Sequence, residues 1–136
     1  MAEAEGESRS SRVRGAAPHG TMLSLDVESL FTNVPLDETL AFLERKLEPV
    51  DPRLPLPTRV FLDLIRLCVQ STSFSFNGQY YSQTYGVAMG SSLSPVLANL
   101  YMEFFESKYL PRILPKGILW VRYVDDIFCA WPVDKD

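Results

Sequence analysis

The chain has 136 residues, 46% hydrophobic and 22% charged, with a net charge of −4. That balance belongs to one globular domain rather than a disordered chain, and it argues against the large basic face that grips nucleic acid. Cys68 and Cys129 form no CxxC pattern and His19 is the single histidine. Zinc is therefore excluded on ligand supply, and a reduced, intracellular setting is expected.

Residues 1–20 are rich in Glu, Arg and Ser, carry no apolar stretch of the signal-peptide kind, and read as a disordered leader. From Thr21 the pattern changes. "MLSLDVESLF" alternates Leu23 and Leu25 with small or polar residues, which predicts a short strand ending near Asp26. "NVPLDETLAFLERKLEP" predicts a helix: Pro35 suits its first turn, Asp37 and Glu38 its positive start, Arg45 and Lys46 its end. Its stripe is Leu36, Leu40, Leu43 and Leu47, and Pro49 stops it. After the proline-rich "DPRLPLP", a second helix over about 58–70 places Phe61, Leu64, Ile65 and Cys68 on one face. Its "VFLDLIRLCV" is the longest apolar run, and Asp63 and Arg66 interrupt it, so no membrane span is expected.

"FSFNGQYY" is a hairpin signal, because Asn77-Gly78 supplies the positive φ angles of a type I′ turn and sets Phe74 across from Tyr81. In "GVAMGSSLSPVLANLYMEFFESKYL" a glycine-bearing loop leads into a long helix, with Ser94 as N-cap and Pro95 as first helical residue. "ILWVRYVDDIFCAWP" reads as two strands folding back around Asp125-Asp126. No internal repeat is visible. The order β-α-α-ββ-α-ββ predicts an α+β fold, an antiparallel sheet with helices packed on one face.

Asp125 and Asp126 sit inside an apolar run, where an unpaired charge costs several kcal/mol (roughly 2–7 even for an uncharged polar group). If the strands bearing Asp26 and the Asp pair are neighbours, three carboxylates converge at one rim and repel unless a cation holds them. Oxygen-only ligands select a hard cation, Mg²⁺ or Mn²⁺. Two such ions about 4 Å apart activate a hydroxyl and stabilise a leaving pyrophosphate. The plainer reading is that Asp-Asp merely makes a good turn, since Asp tolerates left-handed geometry.

Taken together, "LSLDVESLFTNVPLDETL", "GVAMGSSLSPVLANLYMEFFE" and "WVRYVDDIF" resemble the three palm motifs of reverse transcriptases, most closely those of Penelope-like retroelements, and the hairpin "FSFNGQYYSQ" sits where that family carries one. The resemblance runs from about Met22 to Trp131 and implies a right-hand polymerase palm over 21–136. Position by position, it implies that Asp26, Asp125 and Asp126 are catalytic metal ligands, with Asp26 and Asp125 bridging both ions and Asp126 contributing less directly. Val27 would offer its carbonyl to the metal. Phe31 matches the aromatic under the incoming sugar, where a flat ring clashes with a ribose 2′-hydroxyl; without the family, a core phenylalanine is the simpler reading. Met89 and Gly90, with Ser91, match the loop that approaches template and nucleotide, Gly90 allowing backbone to come close. Met89 stands where many relatives have glutamine, which is the Penelope-like pattern, and Ser92 stands where proline is usual. Asn99 is either a site residue or a polar side-face residue.

The implied partners are an RNA or DNA template with primer and a deoxynucleoside triphosphate, and no membrane. Fingers, thumb and primer-grip segments are not recognisable, nor is the GIY-YIG endonuclease of many relatives, so little polymerase activity is expected of these 136 residues alone. The competing class is a non-catalytic remnant or a domesticated interaction protein. A two-metal nuclease or phosphatase ranks last, for want of histidines. Retroelement ancestry points to the nucleus, although no basic localisation cluster occurs.

Overall fold

The computed structural model describes residues 20–114 and 118–132. The expected leader lies outside the described residues except for Gly20, which opens a strand. The described residues fall into two compact units: the first holds those up to Glu28 and those from Ile113 onward, the second Ser29–Arg112. Among the described residues no helix is long and apolar enough to cross a membrane.

The first unit is an antiparallel sheet of β1 (Gly20–Asp26), β4 (Leu119–Tyr123) and β5 (Asp126–Pro132), in the order β1-β5-β4. Its register pairs Leu23 with Cys129, Leu25 with Ile127 and Asp26 with Asp126. Because successive side chains alternate between faces, one face carries Leu25, Ile127 and Cys129 and the other Met22, Asp26, Asp126, Phe128 and Tyr123. Ile127 and Cys129 are buried, Cys129 to 1% exposure, while Met22 on the opposite face is 73% exposed. The acids thus share the open face of the sheet.

The second unit holds α1 (Leu30–Asn33), α2 (Leu36–Lys46), α3 (Thr58–Gln70), the hairpin of β2 (Ser73–Phe76) and β3 (Gln79–Ser82), and α4 (Ser94–Ile113). The hairpin forms a separate two-stranded sheet, so the expected strands divide between two sheets rather than one. Asn77 and Gly78 have φ of 49° and 76°, as the type I′ turn requires, and the Phe74 and Tyr81 rings stack at 5.5 Å. α2 carries its acids in the first turn and its bases in the last. An Arg66–Asp37 ion pair joins α3 to α2, and Phe42 meets Phe104 of α4 at 5.3 Å.

Two expectations are corrected. α3 buries Thr58 and Leu62, whereas Leu64 and Cys68, expected on the inner face, are exposed. A helix apolar on several sides does not declare its core stripe, and here the stripe is rotated. Ser94 is the first residue of α4 rather than an N-cap accepting from the helix; its hydroxyl donates to the Ala88 carbonyl at 2.5 Å.

The proline-rich connection has an unforeseen anchor. The Asp51 side chain is almost wholly buried and accepts from Arg53 Nε at 2.8 Å, Nη2 at 2.5 Å and its backbone N–H at 2.9 Å. The Arg53 guanidinium, then its backbone N–H, hold the Asp51 carboxyl well below the usual carboxylate value of 3.8. A group depressed in the folded state stabilises fully above its unfolded pKa and loses that contribution as pH falls through the folded value. Urea midpoints measured downward from pH 5 should therefore fall more steeply below pH 3.8 for the wild-type chain than for Asp51→Asn, which has lost the titrating group.

Candidate functional site

The sheet end carrying Asp26, Asp125 and Asp126 is built by a tight hairpin between β4 and β5. Tyr123 pairs with Asp126, so Val124 and Asp125 are the two turn residues and Asp126 opens the strand. Only Val124, at φ 55°, takes a positive angle there, so the left-handed demand falls on a valine rather than on an aspartate. A β-branched residue at positive φ is an outlier, and such strain concentrates at functional sites. What holds it is visible: Arg122 Nη1 donates to the Val124 carbonyl at 3.0 Å, and Val27 N donates to the Asp125 carbonyl at 3.0 Å. Val124→Gly should relieve the strain and raise stability by about 1 kcal/mol, the relief exceeding the added backbone entropy of glycine. A shifted denaturant midpoint with unchanged slope is the readout.

Register brings Asp26 and Asp126 to directly opposed positions on one face, where Cβ atoms lie roughly 5 Å apart. Both are exposed, and Asp125 is half-buried in the turn. The charges thus sit at solvent, and burial is not what must be compensated; mutual repulsion is. Asp126 is the partner that faces Asp26, and Asp125 comes one residue earlier. The donor set suits a hard divalent ion, all oxygen and anionic. Among the described residues, however, no group of three or more His, Cys, Asp or Glu is gathered to hold a metal. The rim therefore offers an opposed pair of acids with a third beside them in sequence, not a closed cage.

In the second unit, Phe31 begins the last turn before Val34 and is fixed through its backbone: Val87 N donates to the Phe31 carbonyl at 2.8 Å. Gly86, at φ 72°, makes that approach possible. A Cβ there would lie 2.6 Å from the Thr32 carbonyl carbon and 2.7 Å from the Phe31 oxygen, and nearer still to the Thr32 oxygen. The segment leading to Met89 and Gly90 is therefore clamped against Phe31-Thr32. Gly90 has φ 93° with nothing within 4 Å of a Cβ, so its own glycine is required by backbone angle and not by crowding within the chain. Met89 is exposed. Gly86 went unread in the sequence; its only signal there was its place at the head of "GVAMG".

The model of the family described as reverse transcriptase (RNA-dependent DNA polymerase) matches residues 7–135. Among solved structures, the chain is similar to apo telomerase from Candida Tropicalis truncated from its C-terminal domain, with a TM-score of 0.64 and 18% identity. That likeness covers 81% of this chain and 24% of the telomerase chain, so the chain spans about a quarter of that protein's length and shares its fold there. A search of the curated proteins finds no match. With an antiparallel sheet presenting acids at its rim and a family match over nearly all its length, this chain belongs to the reverse transcriptase (RNA-dependent DNA polymerase) family.

Proposed function

We propose that the chain is the palm portion of a Penelope-like reverse transcriptase, directing nucleotidyl transfer to a primer 3′-hydroxyl. The observation that carries this is the opposition of Asp26 and Asp126 on the open sheet face, beside a strained turn that carries Asp125. Asp26, Asp125 and Asp126 would together hold a divalent ion, Mg²⁺ or Mn²⁺, with the Val27 carbonyl completing the set; the resemblance gives Asp126 the lesser part, and the register makes it the acid opposite Asp26. A bound ion of this kind supplies charge neutralisation for the hydroxyl and the leaving pyrophosphate. The chain's own part is positioning. Arg122 and the Val27–Asp125 hydrogen bond keep the turn from relaxing, which fixes where the acids begin. Phe31 would screen the sugar for a 2′-hydroxyl, and Met89 and Gly90 would meet the nucleotide and template. The hydrogen bond from Val87 ties the Phe31 backbone to the segment that carries both.

Family partners, a template with primer and deoxynucleoside triphosphate, come with this reading, and so does a nuclear location. The 136 residues alone should extend a primer weakly, because little of the positioning that phosphoryl transfer depends on is recognisable in them. Among the described residues the acids gather as an opposed pair rather than a group of three, which favours a second reading, a non-catalytic remnant kept as an interaction protein. Thermal denaturation with and without Mg²⁺ separates the two. The polymerase reading expects metal-dependent stabilisation that Asp26→Asn removes; a chain indifferent to Mg²⁺ would be the remnant.

A further inference from the structure

The hairpin of the second unit is a sheet of two strands, and both strands are exposed at every position, Phe76 to 70%. A pair of strands alone is marginal in water; a third strand or a covering helix is needed for independent stability. None of the devices that blunt a free edge occurs here. The strands hold no proline, no charge and no bulge, since the register runs unbroken from Ser73–Ser82 to Phe76–Gln79. The neutrality extends beyond the hairpin: no residue from Leu67 to Met102 is charged, in a chain whose net charge is −4. Copies of an acidic chain repel one another, and this tract lets them meet without opposing like charges.

At the base of the hairpin, Gln83 N donates to the Thr72 carbonyl at 3.5 Å. Bonded and non-bonded rungs alternate along an antiparallel pair, so Phe74–Tyr81 and Phe76–Gln79 are bonded rungs while Ser73–Ser82 and Ser75–Tyr80 are not. The backbone N–H and C=O groups of Ser73 and Ser75 therefore point out from β2, and those of Tyr80 and Ser82 from β3. No other strand of the described residues pairs with either edge. The two edges differ in what flanks those groups. On β2 both side chains are serine, small enough for another backbone to come close, and alternation puts Phe74 and Phe76 together on the opposite face. On β3 the bulky Tyr80 stands beside the outward groups.

We propose that the β2 edge is a self-association site: two copies pair β2 against β2, antiparallel, about a two-fold axis through Phe74, and so make one four-stranded sheet. Ser73 of each copy then forms a bonded rung with Ser75 of the other. The two Phe74 side chains meet at the non-bonded rung between, where Cα atoms lie about 4.5 Å apart. Within each copy Phe74 already stacks on Tyr81, so the axis joins two such stacks into a row of four rings. A contact that pairs one patch with itself closes at two copies.

The test is sedimentation equilibrium of the full chain, in chelator so that the acid rim takes no part, and in reductant so that the exposed Cys68 cannot link copies. Monomer should pass to dimer with a dissociation constant between about 10 µM and 1 mM, the weak range of an interface below about 1,200 Å². Phe74→Ala should weaken the dimer about tenfold through loss of the ring contact. Charge reads the register. Ser73→Asp alone and Ser75→Lys alone should each weaken the dimer about tenfold. Their equimolar mixture should recover the wild-type constant, because the new acid of one copy then stands opposite the new base of the other. Neither change touches a bonded rung of the hairpin itself, so the pair keeps the test decisive if Phe74→Ala does not fold. A chain still monomeric at about 1 mM overturns the proposal. So does a dimer that both charged variants retain, a mixture that fails to recover it, or assembly that grows past two copies.

Discussion

Gly86→Ala should lower the melting temperature by about 10 °C, corresponding to roughly 3 kcal/mol in a chain of this size. Two costs add. The backbone stands at φ 72°, where a Cβ is disfavoured by roughly 1–2 kcal/mol. The added methyl also meets the Phe31 and Thr32 carbonyls well inside contact distance, and those are backbone atoms that cannot rotate away. Relief requires the strand of chain through Val87 to retreat, which breaks the Val87–Phe31 hydrogen bond. Gly90→Ala, with open space about it, carries only the angular cost and should fall about 1–2 kcal/mol. Differential scanning of the two variants side by side checks the contrast; equal losses would mean that the clamp is not tight.

Asp126→Asn should reverse sign with metal. In chelator it removes one of two like charges directly opposed across an antiparallel pair, a repulsion worth about 0.2–1 kcal/mol, so the variant should be slightly the more stable. With Mg²⁺ at a hundredfold excess over its dissociation constant, the wild-type chain gains about 2.7 kcal/mol and the variant does not. The order of the two melting curves therefore crosses. A merely structural turn would show the same order in both conditions.

Much of this was legible in the sequence where local chemistry decides. Asn77-Gly78 with flanking aromatics specifies its hairpin without help from the rest of the chain, and α3 begins and ends where its pattern does. The sequence left open whether the strand of Asp26 neighbours those of the Asp pair; the structure pairs β1 antiparallel with β5. What was hidden is what non-local packing sets. The four residues of α1 are too few to show a period, and they are held by Thr32 and Asn33 side chains that both donate to the Ser29 carbonyl. Asp51 looks like one more polar residue in a proline-rich link until its burial is seen. Gly86 depends on a carbonyl more than fifty positions earlier. At the rim, the sequence named the acids but not their pairing: the register sets Asp126 opposite Asp26, and the strained angle falls on Val124.

The central claim, that the opposed acids of β1 and β5 form a divalent-cation site, is tested most directly by titrating the chain with Mn²⁺ and following the free-ion electron paramagnetic resonance signal. Saturable uptake by the wild-type chain, lost in both Asp26→Asn and Asp126→Asn, is the predicted result. Uptake that is absent from the wild type, or that survives both substitutions unchanged, would contradict it.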